Sequence, residues 1–225
     1  MEVLQINVHP KIYLKDPRSS ELGRGILLEG LHLMHQLGLE EFTFRKLAMH
    51  IHTTESSIYR YFETKHKLLL FYESWYWSWV AYRIQFEISN IEQVDERIRR
   101  LIGVLAYQPE PHERYGLFAV KTVKDVVVSE SVKSYFVKSV DDNQRAGYFG
   151  PYLRVVERLS ELIEELEPAY PFANALATTV VEGVLHQQHF AGHIPALTNF
   201  NPASDALTEF FNQLVLSAKG YGKNL

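Results

Sequence analysis

Residues 42–69 read FTFRKLAMHIHTTESSIYRYFETKHKLL, and the groups there that can do chemistry are cations and hydroxyls. Five Lys or Arg stand against two acids, a local charge of +3 in a chain whose formal net charge is −4, which leaves −7 on the rest. Arginine edges, ammonium groups and hydroxyls close together are donors suited to phosphate oxygens and to base edges in a DNA groove. A local patch suffices for that purpose, so an acidic total does not oppose it. A second constellation is His186, His189 and His193, spaced i, i+3, i+7. Helical histidines at such spacing can bind zinc or nickel, but Gly192 threatens the helix there, and the expectation is interface or pocket histidines and no metal. His32 with His35 is a weaker pair of the same kind. Asp141 and Asp142 are adjacent, so on a helix they diverge. No G-x-S-x-G, phosphate-cradling glycine loop, H-E-x-x-H or dinucleotide fingerprint occurs, and the expectation is a protein that is not an enzyme and takes no cofactor.

Helices must position the basic island. Asp16-Pro17 reads as an N-cap followed by Pro at the first helical position, and Leu22, Ile26, Leu33 and Leu37 continue a helical stripe to Gly38, giving a first helix over 17–37. Thr43 is an N-cap, with Phe42 before it placed to staple onto Leu47. Phe44, Leu47, Ala48 and Ile51 make one apolar face of about two turns. The run His50-Ile51-His52-Thr53 breaks that helix. Thr54 caps a second short helix with Ile58, Tyr59 and Phe62 at core spacing, and Thr64 caps a much longer one. Two short helices joined by a tight turn and braced by a preceding helix form a helix-turn-helix.

Gly38, Phe42-Thr43, Leu47-Ala48, Thr54, Ile58-Tyr59, Phe62, Lys65 and Leu68-Leu69, taken with the helix before and the long helix after, resemble the TetR family of bacterial transcription regulators over residues 18–70. The resemblance implies an all-α protein. An N-terminal three-helix helix-turn-helix headpiece would bind a palindromic double-stranded operator, and a larger helical body would bind an effector and dimerise. One position departs from the family pattern: His52 stands where the turn normally has glycine, followed by Thr53. A positive φ at residue 52 would strain a histidine and not a glycine.

Helix N-termini and cations favour phosphate. By resemblance and donor chemistry, Thr43, Thr54, Tyr59, Thr64, Lys65 and Lys67 are assigned to the DNA backbone. Lys65 and Lys67 sit in the first turn of a helix, where the dipole disfavours them and a bound phosphate would offset the cost. Base reading falls to Glu55, Ser56, Ser57 and Arg60 on the second short helix, with Arg45 assisting; Arg pairs bidentately with guanine, and Ser donates or accepts at either base pair.

From residue 65 onward the chain reads KHKLLLFYESWYWSWVAYRIQFEIS, and eight of the sixteen residues from Phe71 to Phe86 are aromatic. Leu68, Phe71, Tyr72, Trp75, Trp79, Tyr82 and Phe86 share one face, while Leu70 and Trp77 point the other way, so the helix should be buried on both sides. Dense core packing is the expected role of most of them, with Trp75, Trp79, Tyr82 and Phe86 as candidates to line a pocket for a small apolar or aromatic effector. Further helices are expected at 91–107, 113–125, 129–140, 151–166, 172–191 and 204–219. In the last two, Ala173, Ala177, Val180 and Val184 with Leu207, Phe210, Phe211 and Leu214 are the candidates for a homodimer interface, since proteins of this family pair two such helices from each chain.

The 46% hydrophobic and 13% aromatic content is that of a globular chain, and there is no cysteine for disulfides or thiolate metal sites. No secretory pattern opens the sequence and no apolar run reaches membrane-spanning length, so the expectation is a cytoplasmic protein without a membrane partner. Residues 1–16 are read as an arm, possible as a short β ribbon, 17–63 as the headpiece and 64–225 as the body. The regulator, read as a repressor, has one competitor: a lipid- or isoprenoid-binding protein of the same fold that no longer binds DNA.

Overall fold

The computed structural model describes residues 6–135, 140–201 and 205–221, with the side chain of Tyr135 left aside. Eleven α-helices are described: α1 Glu21–Glu41, α2 Phe44–His50, α3 Glu55–Tyr59, α4 Lys65–Ile88, α5 Val94–Ala106, α6 Val120–Glu130, α7 Val132–Tyr135, α8 Val140–Arg145, α9 Gly150–Leu166, α10 Ala173–His193 and α11 Ala206–Leu216. The strands described are a two-residue pair, β1 Arg114–Tyr115 and β2 Phe118–Ala119, folded back at Gly116, whose φ is 56°. The chain is thus all-α, as its periodicity predicts. The hairpin occupies the start of the segment expected to be helical over 113–125, and α6 begins only at Val120.

Two compact units partition the chain: residues 1–78 with 109–150, and residues 79–108 with 151–225. In the first unit, α1 packs along α6 and against α2, and α2 packs on α3. The apolar faces meet as their spacing requires, with Ile26, Leu27, Leu47, Ile58, Phe62, Leu68 and Phe71 all withdrawn from solvent. In the second unit, α5 packs on both α10 and α11, and α10 on α11.

Asp16 does cap Pro17, accepting from the Arg18 amide, but the result is a separate 3-10 turn over Pro17–Ser19. Ser20 caps α1, accepting from the Gly23 amide. The first helix therefore starts four residues later than Asp16-Pro17 suggested. Gly23 explains why the two segments fit: a Cβ there would stand 2.1 Å from the Pro17 carbonyl oxygen. At the other end Gly38 has φ 72° and ψ 164°, a conformation closed to side-chain-bearing residues, and it interrupts α1 where the sequence placed the stop.

The described part of the arm is not a ribbon. His9 caps a 3-10 turn over Pro10–Ile12, and Ile6, Val8 and Ile12 are buried in the first unit. Arg18 donates to the Ile6 carbonyl at 3.1 Å, and the Leu14 amide donates to the Tyr61 carbonyl at 2.8 Å. Tyr148 adds a third tie, its hydroxyl donating to the Lys11 carbonyl while its ring meets His9 edge-on. Hydrogen bonds to the Pro17–Ser19 turn, α3's exit and Tyr148 replace the strand pairing that β-favouring residues alone suggested.

The candidate nucleic-acid interface

All three threonine caps form. The Thr43 hydroxyl accepts from the Lys46 amide at 3.1 Å, Thr54 from Ser57 at 3.3 Å, and Thr64 from Lys67 at 3.2 Å. Between the first two helices, the Thr53 amide donates to the Ala48 carbonyl at 2.9 Å, and His52 adopts φ 54°. The turn therefore does require the left-handed conformation, and a histidine accepts it. The two short helices are held together by Phe44, whose ring meets Phe42 on one side and Tyr59 on the other, each edge-on.

On α3 the hydroxyls form a cluster: Thr54 Oγ1 lies 2.9 Å from both Ser56 Oγ and Ser57 Oγ. Glu55, Ser56 and Arg60 are exposed, as are Arg45 on α2 and the hydroxyls of Thr43 and Thr64. Neither Arg45 nor Arg60 makes a side-chain hydrogen bond or ion pair among the described residues, so both guanidinium edges are open to a ligand. Tyr59 is half-exposed. These residues lie on one run of chain in one unit, presented by two helices whose ends are tied by their own caps.

Two of the assigned backbone contacts are already committed within the protein. Lys65 does not wait for a phosphate: its ammonium donates to the carbonyls of Leu39, Glu40 and Phe42 at 2.7, 2.8 and 3.1 Å. The Leu39 and Glu40 carbonyls belong to the last turn of α1 and that of Phe42 to its C-cap, where helical donors run out, and a lysine has three N–H donors to give them. Lys67 lies with its Nζ 3.8 Å above the Tyr148 ring, a cation–π contact. His66, between them, is held below its usual range by burial and then by the Lys65 charge, so it adds no full positive charge near neutral pH. The island's available cations are thus Arg45 and Arg60, with Lys46 shared with Glu41.

The aromatic helix needs a correction. From Leu68 to Trp77 α4 is buried all round, as an apolar helix should be, but Tyr82 and Phe86 are exposed, Phe86 at 72%. Trp75 packs edge-on against Tyr115 and Phe118, and Trp79 lies beside Tyr107. A cavity of about 580 Å³ opens in the second unit, and Trp75, Trp79, Tyr82 and Phe86 are all missing from its lining, which is supplied instead by Arg83, Arg100, Tyr107, Gln188 and the start of α11. None of the four aromatics lines this cavity; two are core and two face solvent.

The proposed dimer residues are likewise mostly spent inside the chain. Ala173, Ala177, Val180, Val184, Leu207 and Phe211 are buried where α10, α11 and α5 meet; Phe210 is half-exposed and Leu214 partly so. A Cβ on Gly183 would come within 2.8 Å of the Phe211 ring, so the small residue serves the contact between α10 and α11 of one chain. The stripes close the monomer core. The helix does run to His193 despite Gly192; the His189 and His193 rings lie tilted to one another with centroids 4.4 Å apart, and His186 stacks on Phe190. Among the described residues there is no group of three His, Cys, Asp or Glu able to hold a metal ion.

Comparison with known proteins finds a likeness for the first unit's core. Residues 26–70 match the family described as bacterial regulatory proteins, tetR family. That stretch of the chain is similar to the N-terminal segment of the family. The match spans α1 from Ile26 through α2 and α3 to the first turns of α4, the same elements that present Arg45, the hydroxyl cluster and Arg60. Two solved structures share the fold over most of the chain. AibR, solved in complex with isovaleryl coenzyme A and operator DNA, is 14% identical, with a TM-score of 0.58 over 87% of this chain and 96% of its own. The ketosteroid transcriptional regulator KstR2 of Mycobacterium tuberculosis is 13% identical, with a TM-score of 0.56 over 90% of this chain and 97% of its own. No curated protein sequence matches the chain at a significant level.

Proposed function

We propose that the protein is a ligand-responsive transcription regulator, acting as a repressor, that binds a palindromic operator as a homodimer. The observation that carries this reading is the pair of uncommitted guanidinium groups, Arg45 and Arg60, flanking the Thr54–Ser56–Ser57 hydroxyl cluster on a TetR-family headpiece. Arg60 with Glu55, Ser56 and Ser57 reads base edges, assisted by Arg45. Thr43, Thr54, Tyr59 and Thr64 bind the backbone and fix register. Lys65 and Lys67 contribute indirectly, by holding the headpiece together.

AibR, a protein of the same fold, has been crystallised with operator DNA and an acyl coenzyme A, which supports a ligand-responsive regulator here. TetR-family regulators are transcription factors and not enzymes, and the reading includes no catalysis. Residues 17–63 then act as the headpiece and 64–225 as the sensing and pairing body, in the cytoplasm. Two-fold pairing places two α3 helices at half-sites about 34–36 Å apart or a larger spacing set by the DNA register. The pairing surface uses the outer sides of α10 and α11, where Phe210 and Phe172 are exposed. An effector bound to the body releases DNA only by as much as it prefers the non-binding state, and operator DNA lowers effector affinity by the same factor. The lipid-carrier alternative is disfavoured by a cavity whose lining is charged.

Selection of bound sequences from random duplex DNA tests the reading. A palindromic site, with affinity falling steeply as salt rises, is the expected result; recovery of no enriched sequence overturns it.

A further inference from the structure

We propose that the cavity of the second unit takes a small amphoteric ligand of dipeptide size, its carboxylate on Arg83 and its ammonium on Asp205 and Glu209. The proposal deepens the reading of the body as an effector sensor and rests on it. At about 580 Å³ the space is that of a small-molecule site. Three arginines and four acids line it, a formal −1.

Most of this charge cancels internally. Arg100 lies 2.8 Å from Glu96 and 3.8 Å from Glu87, and Arg99 lies 3.9 Å from Glu96. The charges left over are Arg83 on α4 and the two carboxylates at the start of α11. The Arg83 guanidinium carbon sits 4.1 Å from the Tyr107 ring centroid and 5.2 Å from that of Trp79. A guanidinium held over aromatic rings engages them through its face, which leaves its in-plane N–H edge for a bidentate acceptor. Among the described residues that edge makes no hydrogen bond or ion pair.

Asp205 stands at the N-cap position of α11 without making a side-chain cap bond. Glu209 accepts from the Gln213 amide through Oε1 at 2.8 Å, which leaves Oε2. A ligand bearing only a negative charge would meet these two carboxylates, and one bearing only a positive charge would meet Arg83. A molecule that is neutral overall but charged at both ends matches both sites. In the same lining, the Gln188 amide donates through Nε2 to the Ala106 carbonyl, while its buried Oε1 has no donor among the described residues. An N–H in the middle of the ligand, as in a peptide bond, supplies one. Val104, Phe200 and Leu207 give the same cavity an apolar surface for a side chain.

The test is calorimetric titration of the full chain, without DNA, with L-leucyl-L-leucine, its N-acetyl derivative and its C-terminal amide. The expected result is that the free dipeptide binds at least about tenfold more tightly than either blocked form. Arg83→Met should bring the dipeptide down to the affinity of its amide, and Asp205→Asn with Glu209→Gln should bring it down to that of the N-acetyl form. Equal binding of the N-acetyl form, equal binding of the amide, or no heat from any of the three at millimolar concentration overturns the proposal. The comparison on the unaltered protein decides the matter even where a variant folds poorly. Operator selection is a separate measurement, so failure here leaves the regulator reading standing, and failure there does not alter these titrations.

Discussion

His52 is the clearest case of a residue held against its own preference. Its φ of 54° places an L side chain in the left-handed region, which costs about 1–2 kcal/mol for a residue with a Cβ. His52→Gly should therefore raise the urea midpoint, by about 1 kcal/mol in unfolding free energy, unless the added freedom of the unfolded glycine consumes the gain. Lys65 makes the opposite point. Its three carbonyl contacts serve the last turn and C-cap of α1, so Lys65→Met should destabilise the protein by about 1–2 kcal/mol. Because those donors are already taken, the salt dependence of operator binding should change by less than about one unit of slope. A full unit lost in the salt titration, with stability unaltered, would return Lys65 to the phosphate. Both roles start from residues that stood out in the sequence. The positive φ was legible because a turn that normally takes glycine carried histidine; the carbonyls around Lys65 were not, because they lie more than twenty residues away.

Among the elements, those built on local rules were the most legible. The three threonine caps, the break at Gly38 and the short helices between follow from side chains bonding to backbone within three residues, and all are in place. The arm escaped because its burial rests on Arg18, Tyr61 and Tyr148, none of them its immediate neighbours. The stripes of α10 and α11 were read correctly as apolar, but periodicity says that a face is buried and not against what. Gly183 records the answer, since Phe211 of the same chain fills the space a methyl would need. Gly183→Ala should lower stability by about 1–3 kcal/mol, measured by thermal unfolding. If the alanine variant unfolds as the parent does, then α10 and α11 have room to separate, and their residues return as candidates for pairing two chains.

At the scale of the whole molecule, stability should depend on pH through Lys124. It is buried on α6, and burial, outweighing the pull of Asp125, lowers its pKa from 10.5 to about 7. The unfolded chain then binds this proton up to about 10.5 while the folded chain releases it near 7, so folding becomes more favourable as pH rises between the two. Lys124→Met should stabilise the protein most at and below pH 7 and progressively less toward pH 10.5, as followed by urea unfolding at several pH values. A gain independent of pH would mean that the ammonium keeps its proton in the fold. The cavity was hidden from the sequence for a related reason. Its unpaired charges come from α4 and α11, far apart in the chain, and only the fold shows which of the seven charged groups neutralise one another. The aromatic run on α4 drew attention toward a hydrophobic pocket, whereas its tryptophans serve as packing.

The seating of Ile6, Val8 and Ile12 beneath the first unit has a practical corollary. A shortened chain starting at Pro17 would uncover three greasy sockets, lose the Leu14 tie to Tyr61, and strip Tyr148 of its contacts with Lys11 and His9. Such a product should light up hydrophobic dyes and precipitate on mild warming, even with every DNA-facing side chain intact.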